Sequence, residues 1–141
     1  MFIFRDGHHL LFRRVRQGIW HVVSGVVENG ESFEEAGLRE LREESGLALT
    51  TLLHDLGTQV HDIDAVSRHE YPPGLREVTL RNFAVEAPVG WEPVLNEEHD
   101  AYRWCPSDEA REALYWPGAR EMIRRLDGIL NASAPGHPRP A

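Results

Sequence analysis

The chain is short of several things. It has a single cysteine, Cys105, in 141 residues. That excludes an intramolecular disulfide and a multi-cysteine zinc site. Its histidines show no H-E-x-x-H spacing, so the common zinc-hydrolase signature is missing as well. No apolar run is long enough to span a bilayer. Arg5 and Asp6 interrupt the one apolar stretch at the N-terminus, MFIFRDGHHLLFRR, which makes it a poor signal peptide. Positive charge is in deficit: the formal net charge is −8. Such a surface offers little grip on a nucleic-acid backbone or an anionic membrane. No internal repeat is present. The expectation is a cytoplasmic protein whose partner is a small molecule, acting as a monomer or homodimer, with no nucleic acid and no membrane.

What is present suits one globular domain: 41% hydrophobic and 27% charged residues in a length that can bury a core. Residues 2–5 and 9–14 read as strands joined by an Asp6-Gly7 turn. Further strands are expected at 19–24, 47–53, 56–61, 77–86 and 100–104. Tyr71-Pro72-Pro73-Gly74 reads as a turn. Ser32, with Glu35 three residues on, forms a capping box, and Gly46 is a good terminator, so a helix is expected over 33–45. Phe33, Ala36, Gly37 and Leu41 give it a buried side. Ser107 is expected to cap a short helix reaching Leu114, and Pro117 to open a last helix to residue 130. The domain is therefore placed at 1–130, with 131–141 as a disordered tail. The fold class is α/β with a mixed sheet.

The helix at 33–45 carries the chemistry. Glu40, Glu43 and Glu44 fall within an arc of about 100°. Like charges at these spacings repel. Their arc overlaps that of Phe33, Ala36 and Gly37, so the acids turn toward the domain, where carboxylates need partners. One neighbouring arginine, Arg39, serves three acids. Hard divalent cations take oxygen ligands, and Mg²⁺ commonly binds carboxylates together with substrate phosphates. The preceding loop, GVVENGES, has the spacing of a P-loop, but Glu31 stands where that loop needs lysine; a carboxylate there repels phosphate, and a P-loop is rejected. A second acidic stretch, Asn96-Glu97-Glu98-His99-Asp100, reads by itself as an exposed loop. Cys105 has no flanking nucleophile signature and reads as a small buried residue.

From Gly25 to Leu47 the chain resembles the Nudix box, G-x5-E-x7-R-E-U-x-E-E-x-G-U with U aliphatic, and matches it at every fixed position. The resemblance implies an α/β/α sandwich that hydrolyses a diphosphate linked to another moiety, with Mg²⁺ or Mn²⁺. It implies Glu43 and Glu44 as metal ligands, Glu40 as a third ligand or the base, the Gly25 carbonyl as a backbone ligand, and a further ligand or base from the 96–100 stretch, Glu98 in preference to Glu97. Arg39 would orient the carboxylates, while Glu31 and Gly46 would be structural members of the box. Outside the box, Arg68-His69-Glu70-Tyr71-Pro72-Pro73-Gly74 and Glu98-His99-Asp100-Ala101-Tyr102-Arg103-Trp104 resemble the bacterial subgroup that hydrolyses dihydroneopterin triphosphate and dATP. On that resemblance Arg68 and His69 would contact phosphates or the base. Trp20, Trp104 or Trp116 would stack on a purine or pterin, with Trp20 lining the cleft and Trp104 in the core. The products would be a monophosphate and pyrophosphate. Two other readings stand beside it: a Nudix hydrolase of dinucleoside polyphosphates, nucleotide sugars or oxidised nucleotides, and a non-catalytic nucleotide-binding regulator on the same fold.

Overall fold

The computed structural model describes residues 1–48 and 53–133. Its elements are β1 (Phe2–Arg5), β2 (His8–Arg14), β3 (Trp20–His21), α1 (Phe33–Ser45), β4 (His54–Asp62), β5 (Glu77–Glu86), β6 (His99–Pro106), α2 (Ser107–Ala113) and α3 (Pro117–Ser133), with a 3₁₀ turn at Arg68–Glu70. The strands form one mixed sheet in the order β3-β2-β1-β5-β4, and β6 pairs with the other edge of β2. Among the described strands only β1 and β5 pair in parallel. Asp6 and Gly7 both take positive φ (51° and 73°), the backbone that a tight β1–β2 hairpin requires.

Alternation along β1 divides the core. Phe2 and Phe4 face α2 and α3, together with Leu11, Leu56, Met122, Ile123 and Leu126. Ile3 faces α1, together with Leu10, Phe12, Leu41, Phe83 and Val85. A sheet covered on both faces by helices is the three-layer sandwich expected. Cys105 is buried in the first cluster.

Several expectations need correction. The strand expected at 19–24 is only Trp20–His21. Val22 and Val23 are buried, but their backbone has left the sheet for the loop before α1. Of the strand expected at 47–53, residues 49–52 lie outside the described residues, and Leu47 enters the core without pairing. Phe33 is 44% exposed rather than buried. Ser107 does not cap α2; the N-cap is Pro106, and the Ser107 hydroxyl instead meets His9 Nε2 at 3.1 Å. α3 runs on to Ser133, three residues past its expected end, so 131–133 are helix rather than tail; the rest of the expected tail, 134–141, lies outside the described residues. Among the described residues no helix is long and apolar enough to cross a membrane.

Two buried histidines give the fold an acid limit. Burial pushes His21 well below its ordinary 6.5, with the Arg14 charge adding to it; burial also lowers His9, against the opposing pull of Asp127. Both are neutral in the folded chain and must gain a proton on unfolding below pH 6.5. The unfolded chain then binds more protons, so their contribution is fully present above pH 6.5 and is lost as pH falls. Thermal melts from pH 7.5 to 5 will show a falling midpoint, and His21→Gln will flatten part of that fall. A midpoint independent of pH over this range contradicts the assignment.

Candidate active site

α1 is set by local chemistry. Ser32 Oγ accepts from the Glu35 N–H at 3.1 Å, and Glu35 Oε1 accepts from the Ser32 N–H at 3.1 Å. At the other end Gly46 takes the left-handed conformation (φ 78°) and its N–H reaches the Arg42 carbonyl at 2.9 Å. These caps fix where the acids fall on the helix.

The three acids have different surroundings. Glu44 is buried, with its side chain 3% exposed; Glu40 is 16% exposed and Glu43 55%. Arg39 links the nearer acids. Its Nε and Nη2 grip Glu31 at 2.8 and 3.0 Å, its Nη1 reaches Glu40 at 2.6 Å and Glu43 at 3.3 Å, and Nη2 also donates to the Val26 carbonyl at 2.9 Å. Glu31 additionally accepts from the Glu28 N–H at 2.9 Å, so it locks the loop to the helix as a structural member. Arg39, and the backbone contact second to it, hold the Glu31 carboxyl below its usual range. Gly25 packs flat against Glu40: a Cβ built there would overlap the Glu40 carboxylate.

Glu44 faces Glu98 and His99 across the loop before β6, and one ligand atom from each of the three lies within 4.8 Å of the others. His99 Nε2 is 3.6 Å from Glu44 Oε1. His99 Nδ1 lies 3.3 Å from Asn96 Oδ1, which also accepts from the Glu98 N–H at 3.1 Å. An acceptor at Nδ1 makes that nitrogen the donor and leaves the Nε2 lone pair facing Glu44. Burial, aided by Arg14, lowers His99 to about 4, so it is neutral. Burial, then contact with Glu40 and the charges of Glu40 and Glu98, pushes Glu44 up to about 10. Glu44 Oε2 is buried with no hydrogen-bond partner among the described residues. A crowded, desolvated carboxylate with an orphaned oxygen and a neutral imidazole beside it is a set that a divalent cation fits.

Glu44, Glu98 and Glu40 are thus brought together, while Glu43 lies on the solvent side beside Arg39. His99 was not anticipated: it reads as one more polar residue in an acidic loop, and its partner Glu44 is distant in sequence. The residues expected to bind substrate are placed differently. Arg68 donates to the Leu75 and Pro72 carbonyls and closes its own loop. His69 is exposed near Gln17, in a shallow depression it shares with Glu97, Glu98 and His99. Trp20 packs against the α3-side core with Arg103 stacked 5.0 Å from its ring centre, away from the cavity. Trp104, expected in the core, is half-buried at its margin, with its indole N–H on Glu92 at 3.0 Å.

The cleft itself is a cavity of about 630 Å³ that begins at Gly25 and Glu40 and runs to β4, β5 and the start of α3. Its far wall carries Gln59, His61, Asn82 and Trp116. Arg14 is the one cation among the described residues that lines both this cavity and the depression at Glu98. It pairs with Glu70 at 2.8 Å, meets Ser24 Oγ at 2.6 Å and sits 5.1 Å from the Trp116 ring centre. A sequence signal for this wall existed: along β4, Gln59 and His61 alternate with Val60, which is 60% exposed, an inversion of the usual pattern.

One other polar cluster imitates a catalytic relay. His9 Nε2 meets Ser107 Oγ at 3.1 Å and Asp127 Oδ1 at 3.0 Å, but a Ser–His–acid relay needs the two partners on opposite ring nitrogens. Here both use one nitrogen, and the group ties β2 to α2 and α3.

Comparison with known proteins agrees with this geometry. The NUDIX domain family model matches residues 1–126. An octanoyltransferase of Myxococcus xanthus is 37% identical over 82% of this chain, which spans only 31% of that protein. The dihydroneopterin triphosphate diphosphatase of Escherichia coli K12 is 32% identical over 88% of this chain and 83% of that one. The solved structure of the E. coli dihydroneopterin triphosphate pyrophosphohydrolase superposes with a TM-score of 0.82 at 27% identity, covering 89% of this chain and 90% of that chain.

Proposed function

The chain belongs to the NUDIX family, and from that premise we propose that it is a metal-dependent hydrolase of phosphoric anhydride bonds. It cleaves a nucleoside triphosphate or a pterin triphosphate to the monophosphate and pyrophosphate. The observation that carries this reading is the buried Glu44, with its Oε2 orphaned, clustered with Glu98 and His99 in the depression and touching Glu40, which lines the neighbouring cavity, itself large enough for a heterocycle.

Glu44, Glu98 and His99 would hold Mg²⁺ or Mn²⁺, with Glu40 and the Gly25 carbonyl completing the set. The ion, when bound, neutralises charge on nonbridging phosphate oxygens and acidifies water. The chain's own groups do the rest. Arg39 fixes the Glu40 carboxylate and keeps Glu43 within reach. Glu40 or Glu98 accepts the proton of the attacking water. Arg14, between the two cavities, meets the substrate phosphates, and Arg14→Ala is expected to raise KM about tenfold or more with a smaller change in kcat.

The test is release of pyrophosphate and orthophosphate from a panel of triphosphates, dinucleoside polyphosphates and nucleotide sugars, with Mg²⁺ and with EDTA. Pyrophosphate from triphosphates, abolished by EDTA, supports the reading. Turnover confined to dinucleoside polyphosphates or sugars overturns the substrate class, and no metal-dependent turnover at all overturns the activity.

A further inference from the structure

We propose that Glu70 is a gate on the phosphate path: its carboxylate occupies the Arg14 guanidinium, and the phosphates of a substrate bind there only by displacing it. The inference deepens the hydrolase reading above and rests on it. The large cavity and the depression that holds Glu44, Glu98 and His99 share three lining residues, Arg14, Ser24 and Glu70. These three are joined to one another. Arg14 Nη1 donates to Glu70 Oε1 at 2.8 Å, and Arg14 Nη2 donates to Ser24 Oγ at 2.6 Å. A ligand with its ring in the cavity and its phosphates at the acid cluster must cross this bar.

A guanidinium grips a phosphate best through two neighbouring N–H groups. The Nη1–Nη2 edge of Arg14 is filled by Glu70 and Ser24. The two occupants differ in kind. Ser24 is neutral, and its hydroxyl can turn to donate to a phosphate oxygen. Glu70 is an anion, and two negative charges side by side on one guanidinium repel. Glu70 is therefore the group that leaves.

The local structure lets it leave alone. Among the described residues Arg14 is the one side-chain partner of the Glu70 carboxylate, and the Glu70 side chain is 32% exposed, so water is within reach. The turn that carries Glu70 is held by other groups. Asp64 Oδ1 accepts from the Ser67 N–H and hydroxyl, both at 2.9 Å, and Asp64 Oδ2 accepts from the Trp116 indole N–H at 2.7 Å. The Glu70 N–H reaches the Ser67 carbonyl at 2.9 Å, and Arg68 ties the Pro72 and Leu75 carbonyls. The backbone keeps its place while the Glu70 side chain rotates outward. Arg14 also keeps its place, against Ser24 and the Trp116 ring. A carboxylate here weakens the hold on every phosphate chain that crosses the bar, the monophosphate product included, and so favours its release. The opposite role would be a permanent pair in which Glu70 orients Arg14 for the phosphates. The two roles predict opposite signs when the carboxylate is removed.

The experiment measures binding of the α,β-methylene analogues of dATP and dGTP with Mg²⁺ by calorimetry, beside turnover of dATP and dGTP. The methylene bridge replaces the anhydride oxygen, so binding is read without cleavage. Glu70→Gln is expected to tighten Kd about three- to tenfold, the effect of freeing a half-buried guanidinium from a competing charge. KM is expected to fall by the same factor, with kcat changed less than about twofold. Glu97→Gln removes the same charge from the same depression without touching the Arg14 pair, and is expected to change Kd less than about twofold. Weaker binding in Glu70→Gln overturns the gate and makes Glu70 an orienting partner; unchanged binding overturns it as well. Equal tightening in Glu97→Gln also overturns it, because net charge alone would then explain the gain. Tighter binding in Glu70→Gln with no turnover of any triphosphate keeps the gate and overturns the hydrolase reading. No binding of either analogue by the unaltered chain overturns both. If Glu70→Gln does not fold, Glu70→Ala is read in the same way.

Discussion

Glu44→Gln is expected to lower kcat at least about 10²–10³-fold, the range seen when a group that stabilises developing charge is removed. The same change is expected to raise the melting temperature of the metal-free protein. Glu44 is buried against Glu40 and Glu98, and its carboxyl is pushed from an ordinary 4.5 up to about 10. Between those values the folded chain binds a proton that the unfolded chain does not. Stability is therefore fully present at low pH and falls as pH rises through that window. Glutamine keeps the shape and carries no charge, so the variant lacks this fall. Melts in EDTA from pH 7.5 to 9, above the range in which the buried histidines act, will show a declining midpoint for the unaltered chain and a flatter, higher one for Glu44→Gln. In Mg²⁺ the order reverses, because the cation stabilises only the chain that retains its ligand. A variant less stable than the parent in EDTA at pH 8 contradicts this view of Glu44.

The second large effect is at Gly25. Gly25→Ala inserts a methyl group where the Glu40 carboxylate lies, while Arg39 holds that carboxylate at 2.6 Å. Either the loop or Glu40 must move. A displacement of about 1 Å at a catalytic group costs on the order of 10²-fold in rate. The expected result is a loss of that size in kcat/KM, with the fold retained in thermal melts. Unchanged kcat/KM in Gly25→Ala contradicts the close packing of loop and helix.

Features determined by neighbouring residues were legible in the sequence. The capping box at Ser32 and Glu35 and the terminator at Gly46 set α1 over Phe33–Ser45, as expected from spacing alone. The acids and Arg39 follow from that helix. β5 over Glu77–Glu86 was legible from its alternation. What was not legible depends on distant partners. Ser107 looks like a helix cap until His9 arrives from β2. His99 looks like an exposed polar residue until Glu44 is folded against it. Arg68 looks like a phosphate contact until its loop closes around its guanidinium. Gln59, His61 and Asn82 were missed for a further reason. Strand patterns assign polar side chains to solvent, and here the polar face of β4 turns inward while Val60 turns out.

The most direct test of the central claim is Mn²⁺ titration of the unaltered chain and of Glu44→Gln, followed by electron paramagnetic resonance of the free ion at pH 7.5. The claim is that Glu44, Glu98 and His99, backed by Glu40 and Gly25, hold a divalent cation. It predicts saturable Mn²⁺ binding by the unaltered chain, competed by Mg²⁺ and lost or weakened at least about tenfold in Glu44→Gln. Equal binding by the two proteins, or none by either, would contradict it.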